Sequence, residues 1–390
     1  MKTAQRMADI PFSGIRKVFE EITRREQNGE EIIHLEIGRP DFDTPAPIKN
    51  AAKQALDKGL VHYTPNTGLP ELRRAIADKL ATDNGLDYDP DSEVIVTIGA
   101  NEAVFISMMG LLDPGDEVLV PSPCWTHYYQ CAKLCGAVPV PVPLKKEHNY
   151  LPVVEDFKPF LTARTRMIVI NTPHNPTGAV YDLACLEELA RFVSDNDLCV
   201  LSDEIYEKLI YDGHRHLSFA GLPNMRERTV TINGLSKLYA MTGWRLGYAA
   251  APRALAEAMI RVHQYTTVCA VTFAQYGGLE ALSGSQEGVQ EMVRAFDERR
   301  KMVCNRLQAM PGIELIKPSG AFYVLPSVRR LGMDSGECAE YLLNTAKIAV
   351  VPGEAFGEFA EGTIRISYAN SYENLEKAMN QMQTALEARS

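Results

Sequence analysis

The sequence predicts an α/β protein in which a large, mostly parallel sheet is covered by helices, with a smaller α+β unit beside it. Three observations carry that prediction. From about residue 92 to 250, short β-branched runs alternate with longer helical patterns, the signature of parallel strands joined by helical crossovers. Beyond 250 the pattern changes to long amphipathic stretches at 253–265 and 286–310, followed by short strands. With 390 residues, 46% hydrophobic and 23% charged, the chain has material for one large core and a smaller one.

The first 45 residues hold a helix-like stretch, 15–28, and a short apolar run, 32–37, too little for a core of their own. They are expected to pack on the C-terminal part, giving a large domain over 46–285 and a small one from 1–45 and 286–390. Seven strands of the large sheet are expected at 93–98, 117–121, 137–142, 166–171, 198–203, 229–233 and 245–250. Helices at 101–112, 126–135 and 183–196 run between them. The last opens on Asp182 as N-cap and spaces Leu183, Leu186, Leu189, Ala190 and Val193 along one face. Asp113-Pro114-Gly115-Asp116 and Pro121-Ser122-Pro123 are turn clusters at element ends. In the small domain, strands are expected at 313–317, 321–325, 349–352 and 363–368. No internal repeat or low-complexity tract interrupts this order.

Composition excludes several roles. A net charge of -10 leaves no broad basic surface to neutralise nucleic-acid phosphates. Met1-Lys2-Thr3-Ala4-Gln5-Arg6 lacks the apolar core of a signal peptide, and no segment approaches the roughly 20 apolar residues of a membrane span, so a cytoplasmic protein is expected. The eight cysteines form no C-x-x-C pair and read as reduced, structural thiols. Cys124, Cys131 and Cys135 near His127 match no common zinc spacing, so no metal is expected. His214 and His216 lie in a loop-like stretch and read as solvated.

Ligands of open α/β sheets bind beyond the carboxyl ends of the strands, and four ends are informative. After Ile98, the small-residue turn Gly99-Ala100-Asn101-Glu102-Ala103 feeds a helix whose free N–H groups suit a phosphate, although an ordinary tight turn is the commoner reading. After 166–171, two prolines and Gly178 fix a loop that presents Asn175, with a turn-stabilising Asn equally plausible. After 198–201 comes Ser202-Asp203-Glu204-Ile205-Tyr206. Asp203 there needs a cationic partner unless it only caps a helix, and a protonated pyridine nitrogen would serve, with Tyr206 donating to a neighbouring phenolate oxygen. After 229–232 comes Asn233-Gly234-Leu235-Ser236-Lys237, with Arg245 eight residues on. This pair offers a Schiff-base amine and a phosphate clamp, although most lysines are solvated charges. Arg365, alternating with isoleucines in a strand, suits a substrate carboxylate or else a salt bridge. Trp125, just past the Pro-Ser-Pro turn, either stacks on an aromatic cofactor or belongs to the core.

Taken in order, Ile37-Gly38-Arg39-Pro40-Asp41-Phe42, His62-Tyr63-Thr64-Pro65, Asn175-Pro176-Thr177-Gly178, Ser202-Asp203-Glu204-Ile205-Tyr206, Ser236-Lys237 with Gly243-Trp244-Arg245, and Ile364-Arg365 resemble the class I/II aminotransferases, pyridoxal-phosphate (PLP) enzymes of fold type I. The resemblance runs nearly end to end. It implies Lys237 as Schiff-base lysine and proton shuttle, Asp203 on the pyridine nitrogen, and Tyr206 and Asn175 near the phenolic oxygen. Arg365, Asn175 and the Gly38 backbone would take the substrate carboxylate, with Trp125 stacked over cofactor and substrate. The turn Ala100, Asn101, Glu102 would hold the phosphate together with Ser236, Arg245 and a Tyr63 reaching in from the second subunit of a homodimer. Many members carry a serine at Gly234, and some dicarboxylate-preferring relatives carry a lysine at Asn101. The stretch 262–267 resembles broader-specificity and aromatic-type relatives. The implied reaction moves the α-amino group of an L-amino acid, aspartate or an aromatic or broader range, to a 2-oxo acid such as 2-oxoglutarate in a ping-pong exchange. The alternatives are a PLP-dependent carbon–sulfur β-lyase, a nicotinamide dehydrogenase, for which no G-x-G-x-x-G follows an early strand, and a silent PLP-binding regulator, for which no DNA-binding module is evident.

Overall fold

The computed structural model describes residues 2–12 and 14–389. Seven strands form the large sheet: Val94–Thr97 (β1), Glu117–Ser122 (β2), Val138–Pro143 (β3), Thr165–Asn171 (β4), Cys199–Asp203 (β5), Thr229–Gly234 (β6) and Gly247–Ala250 (β7). Their order is β1-β7-β6-β5-β4-β2-β3. All neighbours are parallel except those of β7, which runs against both β1 and β6. The reason is local: residues 235–246 contain no crossover helix, so the chain turns back beside the strand it has just left.

Burial explains why these runs are strands. β1, β2, β6 and β7 are buried along their whole length, as expected for a sheet covered on both faces. One apolar layer packs the sheet against helices Gly99–Leu111, His127–Leu134 and Arg253–Thr266, and another packs it against Leu183–Asp195. Asp182 caps that last helix, its carboxylate accepting from the Cys185 N–H at 2.9 Å. The parallel register places Asn171 directly beside Asp203, so the polar ends of β4 and β5 meet at one edge.

Several boundaries differ from expectation. β7 begins at Gly247, because Arg245 sits in the left-handed region with φ 53° and cannot continue a strand. The 313–317 run forms only a single bridge, Glu314 to Ser327. The 349–352 run divides into Ile348–Ala349 and Val351–Pro352, which pair with different partners, Ile33–His34 and Ile364–Ser367. Helices Ala46–Asp57, Pro70–Lys79, Thr272–Ser283 and Tyr372–Glu387 were not anticipated. Thr272–Ser283 contains Gly277 and Gly278, poor helix formers kept there by packing, since a Cβ on Gly277 would lie 2.5 Å from the Trp244 ring.

The N-terminal segment joins the C-terminal part by main-chain bonds. Besides the parallel pair Ile33–His34 with Ile348–Ala349, the Ser367 N–H donates to the Leu35 carbonyl at 2.7 Å, and Ile22 packs with Leu343 and Ala349. All eight cysteines are free. Among the described residues no helix is long and apolar enough to cross a membrane.

Candidate active site

Beyond the carboxyl ends of β1, β4, β5 and β6 lies a cavity of about 210 Å³. Its wall gathers Gly38, Ala100, Asn101, Trp125, Asn175, Asp203, Tyr206, Ser236, Lys237, Arg245 and Arg365, residues drawn from widely separated stretches of chain. Tyr128, Asn171, Ile205, Thr242 and Tyr323 complete it.

Asp203 ends β5 with its carboxylate buried. Its partners are all neutral: the Tyr128 hydroxyl donates to Oδ2 at 2.7 Å and the Ile205 N–H to Oδ1 at 3.2 Å. Burial pushes its pKa up to about 6 despite those bonds. The strand end itself is fixed by the Asn171 amide, which donates to the Asp203 carbonyl at 2.9 Å.

Lys237 follows β6 and reaches across the cavity, where Nζ donates to the Gly38 carbonyl at 2.6 Å. Gly38 has to be glycine, because the Tyr323 hydroxyl occupies the place of a Cβ. Burial lowers the Lys237 pKa to about 8, helped by the charges of Arg365 and Arg245 and opposed by Asp203.

The third wall has the make-up to receive an anion. Helix Gly99–Leu111 points its N-terminus at the cavity, and Gly99, at φ +71°, allows the turn from β1. The Arg245 guanidinium packs against that turn, so that a Cβ on residue 99 would lie 2.7 Å from Nη2. Its Nη1 donates to the Thr242 carbonyl at 3.0 Å, which leaves other donors facing the cavity.

At the opposite end, Arg365 is buried within a strand. Nη1 donates to Asn175 Oδ1 at 3.1 Å and Nη2 to the Glu36 carbonyl at 2.6 Å, while Nε has no partner. The guanidinium lies over the Tyr323 ring, 4.3 Å from its centroid. Burial lowers its pKa. Tyr206 and Tyr323 share a hydrogen bond of 2.9 Å, and Trp125 stands edge-on to Tyr128 at 5.5 Å.

Two anticipated residues lie outside this wall. Tyr63 is 86% exposed and far from contributing to its own chain's cavity. The Glu102 side chain turns away, toward His263 and Thr267. Tyr128 and Tyr323 were missed. Tyr128 follows Trp125 at the start of a helix and Tyr323 alternates along a strand, but an unaided pattern reads both as core. His216 is not solvated, since Nε2 bonds to the buried Glu204 carboxylate at 2.7 Å. With Glu207 these are the one His, Cys and acid group near metal-binding spacing among the described residues. Their carboxylates are already taken by Ser202, Ser218, Lys79 and Asn84.

The sequence matches the family described as aminotransferase class I and II over residues 30–382. It is 45% identical to an aromatic-amino-acid aminotransferase 2 of Thermococcus litoralis over 99% of this chain and 98% of that protein. It is 46% identical to an aspartate aminotransferase of Pyrococcus abyssi over the same shares, 99% and 98%. A solved aspartate aminotransferase from Thermus thermophilus with maleate superposes with a TM-score of 0.95 at 40% identity, covering 99% of this chain and 100% of that one.

Proposed function

The chain belongs to the class I and II aminotransferases, and we propose that it moves the α-amino group of an L-amino acid to a 2-oxo acid such as 2-oxoglutarate with PLP held at Lys237. The residues fit that cofactor. Asp203 is a buried carboxylate with only neutral donors, suited to a pyridinium nitrogen. The Gly99 turn and Arg245 form a cradle for a phosphate, with Ser236 beside it. PLP supplies an electron sink for the bond broken at the substrate's Cα.

The chain's own groups then divide the work. Arg365 and Asn175 bind and orient the α-carboxylate, and the unpartnered Nε marks an unused donor for it. Lys237, whose pKa burial lowers to about 8, gives up its proton more readily than an exposed lysine and moves the Cα proton. Tyr206, its hydroxyl held by Tyr323 at 2.9 Å, would supply a donor for the cofactor's phenolic oxygen. Tyr63, exposed on its own chain, would be free to serve the phosphate site of a second copy, which is the role the family resemblance gives it and would make the working form a homodimer with shared sites.

The single observation that carries this reading is Lys237 between the buried Asp203 and Arg365 in one cavity. The cavity's two arginines are both engaged by this scheme and Asn101 is neutral, which favours aromatic and other uncharged donors over dicarboxylates. Lys237→Ala should abolish both the visible absorbance of bound PLP and transfer; a variant that keeps both overturns the assignment. A donor panel tests the specificity: phenylalanine and tyrosine should outpace aspartate, and the reverse order refutes it.

A further inference from the structure

Glu102 poses an electrostatic problem. Its carboxylate stands in the first turn of the helix whose N-terminus forms the anion cradle, within about one 5.4 Å turn of it. A bare negative charge there would offset the attraction of the helix end and of Arg245 for a phosphate.

The surroundings of Glu102 resolve this. Oε2 accepts the Ile98 N–H at 2.6 Å, and Oε1 accepts the Thr267 hydroxyl at 2.5 Å and faces His263 Nδ1 at 2.8 Å. Two donors besides the histidine hold it as a carboxylate. Burial would raise its pKa, but the bonds from His263, Thr267 and Ile98 outweigh burial and lower it. His263 is fully buried, and its other nitrogen, Nε2, lies 2.9 Å from the Asn66 carbonyl. The Thr267 hydroxyl also lies 3.1 Å from Nδ1, but its one proton goes to Glu102 Oε1, the nearer acceptor at 2.5 Å. The carboxylate and the Asn66 carbonyl only accept, so a neutral ring would leave one nitrogen lone pair against an acceptor inside the protein. Both nitrogens therefore donate.

We propose that His263, as an imidazolium, is a positioning residue for cofactor binding: it turns Glu102 away from the cradle and cancels its charge, so that the helix N-terminus keeps its affinity for phosphate. This rests on the PLP reading above.

The test uses cofactor uptake by apo protein. Wild type, His263→Gln, Glu102→Gln and the double variant are titrated with PLP and with pyridoxal, which lacks the phosphate, following the visible band formed with Lys237. His263→Gln should bind PLP about 5- to 30-fold more weakly and pyridoxal within about 2-fold of wild type. The double variant, with no charge on either side chain, should recover PLP binding to within about 3-fold. Equal weakening for both ligands, or a double variant no better than His263→Gln, overturns the proposal. A wild type that forms no band with PLP instead overturns the cofactor reading. Should His263→Gln fail to fold, ¹⁵N spectra of histidine-labelled wild type decide the matter, with the ring assigned by its proximity to Thr267. Two protonated nitrogens at pH 7.5 are expected, and one bare nitrogen refutes the imidazolium.

Discussion

The two ends of the cavity carry opposite charges and hold them in the same way. Asp203 is a buried anion bonded to a phenol and a peptide N–H, and Arg365 is a buried cation bonded to an amide and a peptide carbonyl. Neither has an opposite charge as a hydrogen-bonding partner in the resting protein. Contrast Arg300, equally buried, whose guanidinium is closed off by Asp212 and Asp297. The Arg300 charge is paired within the chain, whereas these two are solvated by dipoles alone, as the proposed binding of a pyridinium at one end and a carboxylate at the other requires. The cost shows in their pKa values, Asp203 raised and Arg365 lowered, both first of all by burial.

The strongest test removes the anion. Asp203→Asn keeps the shape and the hydrogen-bonding length but cannot hold a pyridinium cation, so kcat should fall by about 10³-fold or more while the KM for amino acid changes little. A loss confined to KM would show that the two ends had been assigned the wrong way round.

Removing the cation should act on the other parameter. Arg365→Gln leaves the cofactor end intact, so PLP absorbance should persist while kcat/KM falls about 10²- to 10³-fold, equivalent to roughly 3–4 kcal/mol. The fall should be much smaller for an amine lacking the α-carboxylate. An equal fall for both substrates would make Arg365 a structural residue.

The ends also differ in how they could be read from the sequence. The Asp203 side is assembled from strand ends within the segment 93–250, where each β-branched run stops at a polar residue, so the topology rule alone directs attention there. The Arg365 side is built from Gly38, Glu36, Asn175 and Tyr323, brought together by two-residue strands and single hydrogen bonds over long separations. Such contacts leave no periodicity. Arg365 was therefore legible as an odd arginine among isoleucines, while Tyr323 was not. Tyr128 escaped for another reason: a tyrosine on a helix face looks the same whether its hydroxyl meets water or Asp203. The helix Thr272–Ser283 was lost to its glycines, whose need only the Trp244 ring explains.

Tyr128 offers a gentler probe of the anionic end. Its hydroxyl lowers the Asp203 pKa against the dominant effect of burial. Tyr128→Phe should therefore raise that pKa above about 6 and move the acid limb of PLP uptake by apo protein to higher pH, with about a 10-fold or smaller effect at pH 8. An unmoved acid limb would mean that Asp203 does not control uptake.

The smallest expected effect lies behind the cationic end. His34 bonds Glu36 Oε1 through Nδ1 and Glu26 Oε1 through Nε2, each at 2.8 Å, and the Glu36 hydrogen bond, against burial, raises its pKa to about 9. Glu36 is buried, with Oε2 unpartnered, and its carbonyl is the one that holds Arg365. Because the folded pKa lies above the unfolded value near 6.5, the stabilisation is complete below about 6.5 and is lost as pH rises through about 9. The gap in Tm between wild type and His34→Gln should thus be widest near pH 6 and close by pH 10. Partial exposure of His34 keeps it to about 2–3 °C. At neutral pH the variant also leaves the Glu36 charge uncompensated beside Arg365, which should raise the KM for amino acid by about 3-fold or less without changing kcat. A Tm gap that does not vary with pH would show that the imidazolium is not what balances Glu36. A changed kcat with constant KM would show that the cationic end is tied to the chemistry as closely as the anionic one.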